Sequence, residues 1–146
     1  MNDIHIDDFY RDAAIVLHRL YASFPRRVTV FVEDIAGPIT TDEFGVPGER
    51  FLGCFGALLW LAEEGYLRYA DTIRTEAIDQ AVLTGRCFNI LTARVAHDDA
   101  EEDQALPESV RAEHSMRIHR LREALSSGSS TRVRGEMLEI IGLMAR

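Results

Sequence analysis

A chain of 146 residues that is 47% apolar has the material for one hydrophobic core, which excludes a chain disordered throughout. Its 24 acidic residues outnumber its 16 basic ones, all of them arginine, and the net charge of −8 works against non-specific binding to nucleic-acid phosphates. The longest apolar run, 58–62, is too short to span a bilayer, and no basic-then-apolar signal segment opens the chain. Cys54 and Cys87 lie in apolar stretches without metal-ligand spacing and read as buried free thiols of a reducing compartment. A cytoplasmic chain with no membrane contact is expected.

Along the chain, residues 6–24 place Ile6, Phe9, Ala13, Val16, Leu17, Leu20 and Phe24 on one helical stripe, which Pro25 ends. Residues 27–35 are β-branched and fit either a strand or a short strand running into one helical turn; Gly37-Pro38 closes both versions. A polar loop follows at 39–50. Residues 51–64, FLGCFGALLWLAEE, form a helix despite Gly53 and Gly56, each of which costs about 1 kcal/mol against alanine. The expected compensation is close approach of another helix. Gly65 supplies a left-handed cap before the strand at 66–69.

Residues 71–84 have two readings. They form a loop followed by a short strand at 81–83, which makes a hairpin with the strand at 66–69, or they form a helix, because Ile73, Ala77, Ile78, Ala81 and Val82 recur at helical spacing. The hairpin is favoured because a lone short strand after Gly65 needs a partner. Thr84 is suited to cap a helix over 85–96. The acidic stretch 97–108 reads as a solvated linker. Helices at 109–125 and 132–144, joined by the SSGSS turn, should pack as an antiparallel hairpin. The fold class expected is mainly α with a small β component, divided into residues 1–96, the linker 97–108 and a C-terminal helical hairpin at 109–146.

This order of elements, with EEGYLRY followed by AVLTGRCFNIL, resembles the winged helix-turn-helix superfamily over residues 6–96. The resemblance implies a winged-helix-like domain whose third helix, 51–64, takes the place of a recognition helix. That superfamily includes transcription regulators and also protein-binding and structural modules, so shape alone does not select a function. A base-reading helix needs exposed Arg, Lys, Asn or Gln, and residues 51–64 contain none. Candidate phosphate contacts reduce to Arg50, Arg68, Arg74 and Arg86, with Asp71, Glu76 and Asp79 offsetting them. The basic end of the chain, 109–146, has seven arginines against four acids, and Arg111, Arg117, Arg120 and Arg122 are available for a stripe or for pairing with Glu113 and Glu123.

Trp60 among small residues, with Tyr66 and Tyr69, is a candidate protein-binding set, since aromatic residues are frequent at binding hot spots. Their plainer role is core packing. Catalytic signals are weak: GCFG at 53–56 lacks a following Lys, His97-Asp98 has no zinc spacing, and His114 and His119 are five apart and should point differently on a helix. His18, beside an apolar stripe, reads as a hydrogen-bonded structural residue. No catalytic set, metal site or cofactor is expected. The expected function is a non-catalytic protein-interaction module, dimeric through Val133, Met137, Ile140, Ile141 and Met144, with weak or absent nucleic-acid binding. A DNA-binding transcriptional regulator and a small enzyme whose site forms only in space are the alternatives.

Overall fold

The computed structural model describes residues 3–95 and 106–146, so the expected linker at 97–108 falls mostly outside it. The protein is mainly helical with a small four-stranded sheet. Helix α1 (Ile4–Ser23) buries Ala13, Val16, Leu17 and Leu20 of the stripe read from the sequence, while Phe9 and Phe24 are partly buried and Ile6 is exposed. Strand β1 (Val28–Phe31) runs directly into the single turn of α2 (Glu33–Ala36), the second of the two versions considered for 27–35. Helix α3 (Glu49–Glu63) ends in paired bonds, Tyr66 N–H donating to Leu61 and Gly65 N–H to Ala62, with Gly65 at φ +83°. This closes the helix and turns the chain into β2 (Leu67–Arg68).

Residues 71–84 form a hairpin rather than a helix. β3 (Asp71–Ile73) turns over Arg74 and returns as β4 (Ala77–Leu83). β4 is the centre of the sheet, antiparallel to β1 on one side and to β2 and β3 on the other. The register against β1 slips between Val28 and Val30, where Gln80 takes φ +58°. One extra residue therefore enters β4 and brings both the 77–78 and 81–82 pairs inward. Thr84 caps α4 (Gly85–Thr92) by accepting from the Cys87 N–H at 3.2 Å, as expected, but the helix ends at Thr92, short of the expected 96, because residues 93–95 turn extended and pair elsewhere.

The helix expected at 109–125 is two. α5 (Glu108–His114) and α6 (Arg117–Ser127) break at Ser115–Met116, where the backbone pairs with residues 93–95: Val95 N–H donates to Ser115 at 2.7 Å and Arg117 N–H to Ala93 at 3.0 Å. Those bonds are incompatible with a continuous helical ladder. The break also lets His114 and His119 stack, with ring centroids 4.3 Å apart, where a single helix would have separated them. Gly128 (φ +71°) and the cap Ser129 then start α7 (Ser130–Met144).

Helices α6 and α7 pack on each other and on α1, and α7 also meets α4. Ile118, Leu121, Val133, Met137, Ile140 and Met144 join the same buried cluster as Leu17, Leu58 and Leu83. This corrects the expected dimer surface. Val133, Met137, Ile140 and Met144 are buried in the chain's own core, and Ile141 packs partly buried against it. An apolar face on α7 did need cover, and α1 and α4 of the same chain supply it.

Candidate functional site

Between α1 and α3 lies an open groove of about 760 Å³. Its α3 wall is Gly53, Gly56, Ala57 and Trp60, and its α1 wall includes Ile4, Phe9 and Asp12. The wall is smooth because a Cβ added at Gly53 or Gly56 would meet nothing within 4 Å. Among the described residues, no helix makes the close approach expected to compensate these glycines. Ile4 and Ile6 remain 61% and 42% exposed at the mouth of the groove, a costly place for large apolar side chains in a monomer.

Trp60 is half-buried. Its ring meets Phe9 edge-on at 5.2 Å and Tyr66 at 5.5 Å, which holds one face as a wall of the groove. Tyr66 belongs to the core at 2% exposure, so the expectation that it meets a partner is corrected; burial, with the neighbouring Cys87 and Glu64, pushes its hydroxyl up to about 12. Tyr69 packs partly buried against the core.

At the floor of the groove, Asp12 is 1% exposed and accepts from both terminal nitrogens of Arg50, each at 2.6 Å. Asp8 stands 3.7 Å from the same guanidinium. The hydrogen bonds that Arg50 donates to Asp12 raise it above its ordinary pKa. Asp12 was not singled out from the sequence, although it interrupts an apolar stripe between Phe9 and Val16, the available signal. Cys54 lies beside this pair; burial, with Asp12 next, pushes its thiol up to about 12, and burial does the same for Cys87. Both are protonated thiols, unlike the thiolates that act as nucleophiles or ligands.

Of the four candidate phosphate contacts, Arg50 and Arg86 are engaged within the chain. Arg50 is committed to Asp12 and Asp8, which corrects that expectation. Arg86 donates to main-chain oxygens of Leu143 and Arg146 at the end of α7. Arg74 is exposed at the hairpin tip, 4.0 Å from Glu76, and Arg68 is exposed on β2. Three of the four C-terminal arginines considered for a stripe are also engaged: Arg117 with Glu139 at 2.6 Å, Arg120 with Glu136 at 3.3 Å, and Arg122 with His18 at 3.0 Å. These are not the Glu113 and Glu123 pairs expected from sequence; Glu123 bonds His119. The role read for His18 matches its geometry, since its Nε2 accepts from Arg122 and burial lowers its pKa.

Among the described residues, no group of three or more His, Cys, Asp or Glu side chains is placed to hold a metal ion, and no helix is long and apolar enough to cross a membrane. No protein-family model, curated protein or solved structure matches this chain.

Proposed function

We propose that this protein is a non-catalytic protein-interaction module on a winged-helix-like scaffold, and that the α1–α3 groove is its binding surface. The observation that carries the reading is the solvent side of α3. Its exposed positions are Glu49, Leu52, Gly53, Gly56 and Glu63, a smooth apolar strip with acidic ends. The winged-helix-like part of the proposal rests on the order α1, β1, α2, α3, then a β2–β3–β4 sheet and α4. In that scaffold α3 stands where DNA-binding relatives present base-reading side chains. Here that position offers no donor to a base edge and places carboxylates near phosphates.

Self-association is a second part of the proposal, moved to a different face. The inner side of α7 is used by the core, but Gly135, Leu138 and Gly142 form an outward strip at helical spacing, with Leu138 49% exposed. The chain is proposed to be a cytoplasmic one whose partners are proteins.

Affinity capture from native extract tests the groove. Proteins retained by the wild-type chain should survive nuclease treatment and be lost with Gly56→Leu, which fills the groove without touching the core. Partners released by nuclease, or retained equally by the variant, would contradict the reading.

A further inference from the structure

We propose that the occupant of the groove is a basic amphipathic helix of another protein, about four turns long, with a stripe of small and medium apolar residues flanked by Arg or Lys. The inference rests on the groove being an interaction surface and adds the chemistry of what fills it.

The shape argument comes from α3. The strip Glu49, Gly53, Gly56, Ala57 and Trp60 follows one helical face, and the same face continues to Glu63 and Glu64. Fifteen residues of helix run about 22 Å. The groove follows α3 from Glu49 to Trp60, and an apolar wall along a helix, with two glycines where backbones meet, accepts a second helix. A flexible loop would bring unpaired backbone polar groups onto the apolar wall. Small residues at the crossing let helix axes approach closely, and Trp60 closes one end as the large contact.

Charge selects the kind of helix. The groove lining contains three carboxylates, Asp8, Asp12 and Glu49, and one guanidinium, Arg50. That guanidinium is already shared between Asp12 and Asp8. Glu63 and Glu64 are exposed at the far end. The Glu49 end of the lining is therefore acidic, Glu63 and Glu64 extend the acidic character of α3 just beyond Trp60, and among the described residues His5 is the one other ionisable basic side chain in the lining. A second copy docking this face on itself would set the same carboxylates against one another. Cationic flanks meet them with complementary potential, which steers encounter and suppresses like-charged partners.

The test uses two synthetic helical peptides of sixteen residues with the same Ala/Leu stripe, one flanked by Arg and one by Glu, each dye-labelled and titrated with the full chain by fluorescence anisotropy. The Arg-flanked peptide should bind at least about tenfold more tightly at 0.15 M salt, and weaken as salt rises. Gly56→Leu should abolish its binding, and Gly53→Leu should do the same. Glu49→Gln, at an exposed position whose side chain takes no part in the Asp12–Arg50 pair, should weaken the Arg-flanked peptide severalfold and should not weaken the Glu-flanked one. Thermal unfolding of each variant verifies that it folds. Equal binding of both peptides, blocked by Gly56→Leu, would overturn the charge assignment while leaving the groove as a docking surface. Failure of the Arg-flanked peptide to bind the wild type would overturn the proposal. A concentration-dependent dimer dissociated by Gly56→Leu would make the occupant a second copy and overturn it as well.

Discussion

Arg50 grips Asp12 with two parallel hydrogen bonds of 2.6 Å, joining the first turn of α3 to the middle of α1 beneath the groove. Asp12 is 1% exposed while the Arg50 side chain is 34% exposed, so the pair is sealed on the carboxylate side only. The bidentate geometry suits guanidinium and not ammonium.

That asymmetry sets the cost of breaking the pair. Arg50→Ala leaves a buried carboxylate without its counter-ion and should destabilise the fold by about 3 kcal/mol, the lower end for a broken buried pair because water reaches one side. Asp12→Asn should cost less, since Arg50 can turn to Asp8 and solvent. Urea unfolding of both variants measures the order; equal losses would mean that Asp12 is better solvated than its position implies.

The C-terminal helices are predicted to be part of the core. Met137 is fully buried, and Met137→Ala should cost about 2–5 kcal/mol, the range for emptying a core site. Leu138→Ala, on the exposed side of the same helix, should cost well under 1 kcal/mol. Thermal unfolding compares them. Similar small losses would mean that α7 is not seated on α1 and α4.

His18 links stability to pH. It accepts a hydrogen bond from Arg122, and its pKa is lowered from 6.5 by burial first, then by Arg122 and Arg19. On acidification the unfolded chain takes this proton first. The contribution is therefore complete above 6.5 and is lost as pH falls through the lowered folded value. His18→Gln should flatten the change in urea midpoint between about pH 7.5 and pH 5.5, set by the ordinary histidine range. An unchanged slope in the variant would assign the pH dependence to other groups.

Gly53 and Gly56 should separate stability from binding. Alanine at either site meets open space, so each substitution should stabilise the free protein by about 0.5–1 kcal/mol through helix propensity. The same methyl groups narrow the trough and should weaken partner binding. Calorimetric unfolding with a binding titration tests both halves; alanine variants that gain stability without losing affinity would leave the glycines unexplained by docking.

Much of this architecture was legible because it is local. The stripe of α1, the Gly65 turn and the Thr84 cap each depend on residues within one or two helical turns. The hairpin at 71–84 was ambiguous for a physical reason. The extra residue at Gln80 moves β4 out of strict alternation, so Ala77, Ile78, Ala81 and Val82 mimic a helical face. The break at Ser115–Met116 depends on backbone pairing with residues 93–95, about twenty positions away, and leaves no mark in side-chain periodicity. At the site, Trp60 and the unarmed face of α3 were readable. The Asp12–Arg50 pair was not, because the partners are 38 positions apart, although an Asp inside an apolar stripe was a usable hint. The α7 residues were read as needing cover, which is correct, but nothing local says which surface supplies it.

The most direct test uses Trp60, the chain's single tryptophan and one wall of the groove. Its emission should shift to shorter wavelength and saturate as the Arg-flanked helical peptide is added, because docking removes its exposed edge from water. A peptide that binds by anisotropy while leaving Trp60 emission unmoved, in the wild type and in Gly56→Leu alike, would place binding elsewhere and contradict the assignment of the α1–α3 groove.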